Sequence, residues 1–226
     1  MLAGHMQNEL NSLNKVFAWC LHSQERTSPA ESLADGVQAQ LYARLLAGKL
    51  LEAWNALGIA FFGARISQRI EASLHPVAQE ALAKLKTYFG KSNVIYRVRN
   101  SFAFHYAAEE FERHWAKAVD NPNFEIILGG TVGNNLNLAS ELVVNTAVLN
   151  STGQHDEAAA LQMFLDEVQS TANYFIAFLE GAILVLLESA LPSPLVSQSR
   201  IDTIEPPFRF NDVAIPHFYN HGLGDA

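Results

Sequence analysis

Charge is what this chain has least of. Only 17% of its 226 residues are charged, against roughly a quarter in ordinary soluble proteins, while 49% are hydrophobic. Elements with so few charges either bury most of their circumference or hide a face against another copy of the chain; the second, a homodimer, is the expectation here. Cysteine is nearly absent. Cys20 alone excludes an internal disulfide framework and fits a reducing cytosol, hence a cytoplasmic location. With no base or charged partner near it in sequence, it reads as a small core residue and not a nucleophile. Long apolar runs are also missing. The strongest, "FIAFLEGAILVLLESAL" from Phe175 to Leu191, is broken by Glu180 and Glu188 and falls short of the roughly 20 apolar residues a membrane span needs. It reads as a buried helix, with no membrane partner. "MLAGHM" has neither the basic nor the apolar region of a signal peptide; residues 1–5 read as a cloning remnant before a native start at Met6. "GGTVGNN" lacks the lysine and following helix of a phosphate-cradling loop.

What is present is helical period. A first helix is expected from about Met6 to Ser23, then a loop, "SQERTSPAES", with Pro29 near the next helix start. Leu46, Leu50, Ala53, Trp54, Leu57 and Phe61 recur three and four apart, with a second stripe of Leu33, Val37, Leu41 and Leu45. That predicts one long helix over 30–62, ended by Gly63. A shorter helix follows over 76–89, capped by His75 or Ser73 and stopped by Gly90. Ser92 or Asn93 caps the next, predicted to continue to about Val119 before "DNPN" breaks it. "FEIILGGTVGNNLN" reads as a hairpin-like excursion or an irregular loop. Helices resume over 136–150 and 154–190, the last with a stripe from Leu161 to Leu186. The fold class is therefore all-α: an antiparallel bundle over residues 1–191 as one domain, with a long C-terminal helix. Residues 192–226, with five prolines and several aromatic rings, read as an extended tail packing on the bundle or on a partner subunit.

Net charge is −8, which argues against nonspecific nucleic-acid binding by the whole molecule. Between Arg65 and His105, however, seven basic residues face two acidic ones, so that stretch is +5 and the remainder −13. The asymmetry fits either an anion-binding region or a solvated helix face. At its end stands "VIYRVRNSFAFHYAAEEF", Val94 to Phe111, where two arginines, an asparagine and a histidine interrupt an apolar helix. On an ideal helix His105 shares a stripe with Ile95, Val98 and Phe102. Arg99 lies about 9 Å up the axis and about 120° round, within reach of a guanidinium turned back toward the imidazole. A buried structural histidine bonded to a carbonyl is the competing reading.

"RNSFAFH", Arg99 to His105, resembles the signature of the HEPN superfamily (higher eukaryotes and prokaryotes nucleotide-binding), helical bundles with an arginine, a following polar residue and a histidine four to six intervening residues later. Here the gap is five and Asn100 fills the polar position. The match is sharp over about a dozen residues; elsewhere it is only an all-helical context. It implies a dimer whose motif helices face each other across a cleft, and for active members a metal-independent endoribonuclease without cofactor. The RNA 2′-hydroxyl would attack the adjacent phosphate, with His105 as base near neutrality, Arg99 holding the phosphate as charge builds and Asn100 orienting one of these groups or donating to a phosphate oxygen. Arg97 is a rival phosphate contact, and Lys91 and Tyr106 complete the expected binding surface for RNA or a nucleotide. Family members also suggest a defence or toxin setting, with an antitoxin partner protein. Others bind without cutting, so a non-catalytic interaction or dimerisation module with a structural His105 is the alternative.

Weaker features are absorbed elsewhere. Glu110 and His114 lie four apart, but Phe111 stands where carboxylate-bridged iron bundles place glutamate, so no metal is expected. His217 and His221 pair in a tail that is not read as helical. Trp19, Trp54 and Trp115 read as core.

Overall fold

The computed structural model describes residues 1–22, 28–103, 108–118, 125–191, 209–213 and 215–219. Among them the fold is an all-α bundle with a long C-terminal helix: α1 (Leu2–Leu21), α2 (Pro29–Leu57), α3 (Arg65–Ser73), α4 (Pro76–Phe89), α5 (Val94–Val98), α6 (Ala108–Ala118), α7 (Leu138–Asn150) and α8 (Glu157–Ala190). Pro29 and Pro76 each occupy a first turn, where the missing N–H costs nothing and the fixed φ suits the helix.

The two longest helices, α2 and α8, pack on each other and organise the rest. The first also receives α1, α5 and α7, while α8 receives α1, α3, α4, α5 and α7. By length and composition alone, Pro29–Phe62 and Glu157–Ala190 are apolar enough to cross a membrane. Here their inner faces supply Leu46, Leu50, Phe164, Phe175, Phe178 and Leu179 to a core completed by Phe17, Leu85 and Ile95. Phe178 and Leu179 lie in the stretch expected to be a buried helix. The expected α8 stripe is buried from Val168 to Ala182; toward the N-terminus Ala160 and Phe164 are buried where Leu161 and Leu165 were expected. A wide stripe tolerates that one-residue offset. Gly181 matters to the packing: a Cβ there would sit 2.5 Å from the Ala78 Cβ, so glycine lets α8 approach the start of α4. Polar ties join the outer helices to this pair. Tyr88 donates to Glu167 at 2.6 Å, and the buried Arg44 pairs with Glu141 of α7 at 2.8 Å.

Several expectations change. Residues 65–73 form a helix that the periodicity did not predict. The segment over 94–119 is not one uninterrupted α-helix among its described residues: α5 passes into a π-helical turn at Arg99–Ala103. A second π turn, Gly58–Phe62, ends the α2 segment before Gly63. The glycine-rich excursion closes by a single antiparallel bridge, Ile127 with Leu136, around a 3-10 turn at Val132–Asn134. Trp115 is 42% exposed and lies beside Phe111, not in the core. Described tail residues lie on the bundle: Gln38 donates to the Ile215 carbonyl at 2.7 Å, the His217 N–H donates to Asp35 at 3.0 Å, and Phe218 packs with Ala34, Leu136 and Leu138.

Candidate functional site around the Arg99 turn

The site is built from the corner between α4 and α5. Gly90 stops α4; a Cβ there would press on the Lys86 carbonyl at 2.8 Å. Asn93 then sets the entry of α5. Its Oδ1 accepts from the Tyr96 N–H at 2.8 Å, and its Nδ2 donates back to the carbonyls of Tyr88 and Lys91. This side chain is itself buried, so it satisfies a helix-end donor that water would not reach. Val94, Ile95 and Val98 bury the inner side of α5, against α2 and α8.

Directly after Val98 the chain widens into the π turn that begins at Arg99. Such turns are rare and are frequent at functional positions. The Arg99 guanidinium reaches α2, where Glu52 accepts from Nε at 2.8 Å and also from Nη2. Nη1 donates to Asn100 Oδ1 at 3.0 Å. The arginine is half-buried and the asparagine exposed. Asn100 thus accepts a hydrogen bond from Arg99 in the structure, whereas the contact with Glu52 was not foreseen. Its signal is faint but legible: Lys49 and Glu52 are the only charges between Leu46 and Phe62, in a segment otherwise apolar or small. Lys49 is matched across the bundle as well, donating to Glu9 of α1 at 2.8 Å. Lys49 and its hydrogen bond hold the Glu9 carboxyl below the usual carboxylate range.

Arg97 is committed elsewhere. Its Nε donates to the Ser151 carbonyl at 2.8 Å and its Nη1 to Ser92 Oγ at 3.1 Å. That places a cation at the C-terminal end of α7, where the helix dipole favours it. Lys91 is exposed and lines a cleft of about 400 Å³ with Leu51, Trp54, Asn55, Phe89 and Tyr96. A smaller hollow of about 240 Å³ lies on the other side of α2, bounded by Glu9, Lys49 and Glu52. His105 and Tyr106 lie outside the described residues. The ideal-helix relation drawn between Arg99 and His105 does not carry over, because the helix leaves α geometry at Arg99. No group of three or more His, Cys, Asp or Glu side chains that could hold a metal ion occurs among the described residues.

No family model matches the chain, and no curated protein or solved structure does.

Proposed function

We propose that the chain is a HEPN-like, metal-independent endoribonuclease or RNA-binding protein acting through Arg99, Asn100 and His105, with two copies paired across a shared cleft. The observation that carries the reading is the Arg99 turn. A guanidinium on a π turn, half-buried and bonded to Asn100, is a preoriented cation, and a phosphate is the anion that uses its planar fork best. In this scheme His105 takes the proton of the 2′-hydroxyl while Arg99 stabilises the charge building on the phosphate. Glu52 holds the guanidinium until RNA arrives. Pairing of copies is favoured by the apolar side chains left on the outside of α2, where Leu33 and Leu41 are each exposed by more than two-fifths. A cognate antitoxin protein fits the same setting.

The test is cleavage of a labelled single-stranded RNA by wild type, Arg99→Ala and His105→Ala, with chelator present and with melting curves on all three. Loss of cleavage in His105→Ala with RNA binding and Tm retained supports the reading, as does weakened binding in Arg99→Ala. An inactive wild type beside a His105→Ala protein destabilised by roughly 1–3 kcal/mol favours the interaction module with a structural His105.

A further inference from the structure

The cleft between α2 and the α4–α5 corner is distinct from the motif residues, and its lining is unusual for this chain. Its floor is aromatic: Trp54 stacks on Phe89 at 4.9 Å, nearly parallel, and Leu51 adds to it. Tyr96 stands at the side, 54% exposed, and stacks on no other ring among the described residues. Among the described residues no carboxylate lines the cleft, in a chain whose net charge is −8. Three polar groups there have no bonding partner within the described protein: the Lys91 ammonium, the Asn55 carboxamide and the Tyr96 hydroxyl. A volume of about 400 Å³ lies within the range of small-ligand sites.

We propose that this cleft binds a nucleotide, with the base against Tyr96 and the Trp54–Phe89 floor and the phosphate on Lys91. Each part of the ligand answers a separate feature. An exposed aromatic ring with an apolar floor takes a planar base by stacking, which is tolerant of base identity. A free ammonium in a cleft without carboxylates takes a phosphate. Asn55 offers both a donor and an acceptor, the complement of a base edge. The inference rests on the RNA reading of the Arg99 turn only in choosing a nucleotide over another planar anion. Tyr96 stands on α5, which leads directly into the Arg99 turn.

Calorimetric titration of the full chain with the four ribonucleoside 5′-monophosphates, and separately with inorganic phosphate, tests it. Expected are saturable binding of at least one mononucleotide and much weaker binding of phosphate alone. Tyr96→Ala and Lys91→Ala should each lose about tenfold in affinity, and Asn55→Leu should lose any preference among bases. The proposal is overturned if no mononucleotide binds at millimolar concentration, or if phosphate binds as tightly as they do. Affinity that falls in Arg99→Ala but not in Tyr96→Ala also overturns it, since the ligand then sits on the turn. Because none of these readouts involves cleavage, an inactive nuclease with an intact nucleotide cleft, and the converse, are told apart.

Discussion

Glu52→Gln separates a phosphate-handling arginine from a structural strut. The carboxylate takes two N–H groups of Arg99, yet the pair is open to water, with side-chain exposures of 26% for the arginine and 45% for the glutamate. Ion pairs this exposed contribute about 0.2–1 kcal/mol. An isosteric amide should therefore lower Tm by no more than about 2–4 °C for a chain of this size. Anion binding moves the other way. A phosphate docked on Arg99 would lie roughly 6 Å from the Glu52 carboxylate, where unit charges in near-aqueous surroundings repel by about 0.7 kcal/mol. Removing that charge should tighten RNA binding by about threefold, while Arg99→Ala weakens it and flattens its salt dependence by about one phosphate contact. Fluorescence anisotropy of a labelled single-stranded RNA at two salt concentrations, beside melting curves, reads both effects. If Glu52→Gln weakens binding as much as Arg99→Ala does, the carboxylate belongs to the binding site and is not a partner that RNA displaces. If neither substitution moves binding and both lower Tm by several degrees, the pair is a strut and the RNA reading of this turn falls with it.

Gly181→Ala should destabilise: the new methyl would lie 2.5 Å from the Ala78 Cβ, and the roughly 1–3 kcal/mol cost of overpacking outweighs the about 1 kcal/mol helix-propensity gain, so thermal melts should show a lower Tm. Burial pushes the Cys20 thiol up, so the native protein should react slowly with a thiol reagent at neutral pH and quickly once denatured; fast native labelling would contradict the packing of α1. Because Lys49 holds the Glu9 carboxyl low, its contribution is present above the unfolded pKa and is lost as pH falls through the folded one. Glu9→Gln should remove that acid-side loss, an effect of at most about 1 kcal/mol for so exposed a pair, visible in melts at stepped pH.

The parts of the fold legible in the sequence are those where apolar spacing is long and punctuation is strong. The long helix over 30–62, the α4 helix between Pro76 and Gly90 and the central stripe of α8 all have both. Of the two caps expected at the start of α4 and the two at the start of α5, His75 accepts from the Ala78 N–H and Asn93 from the Tyr96 N–H. The nine-residue α3 escaped because Ile66 and Ile70 are its only large apolar residues, and Ile66 is 52% exposed; two residues cannot define a stripe. Neither π turn was visible, since an i→i+5 hydrogen bond leaves no mark on composition. That omission mattered most at Arg99, where it undoes the angle estimated between the arginine and His105. Glu52 was unseen for another reason. It stands 47 residues from its partner, and a local motif carries no information about a contact made across the bundle.

What the Arg99–Glu52 pair is for can be argued from its magnitude. Lys49 and Glu52 are the only charges between Leu46 and Phe62, and each meets an opposite charge on another helical segment. If stability alone were served, an apolar residue at each position would do as well, because half-exposed pairs contribute less than about 1 kcal/mol and hydrophobic replacements of charged pairs are often neutral or better. A salt bridge does, however, fix where a guanidinium points. Two bonds to Glu52 and one to Asn100 hold a side chain that otherwise loses about 2 kcal/mol of rotamer entropy when ordered. Part of that ordering is then complete before any ligand arrives, which is the condition under which a cation binds phosphate tightly in one geometry. On the RNA reading proposed above, the carboxylate orients the guanidinium through its accepting oxygen and opposes a phosphate through its charge, so Glu52→Gln, which keeps an accepting oxygen and loses the charge, keeps the orientation and removes the opposition.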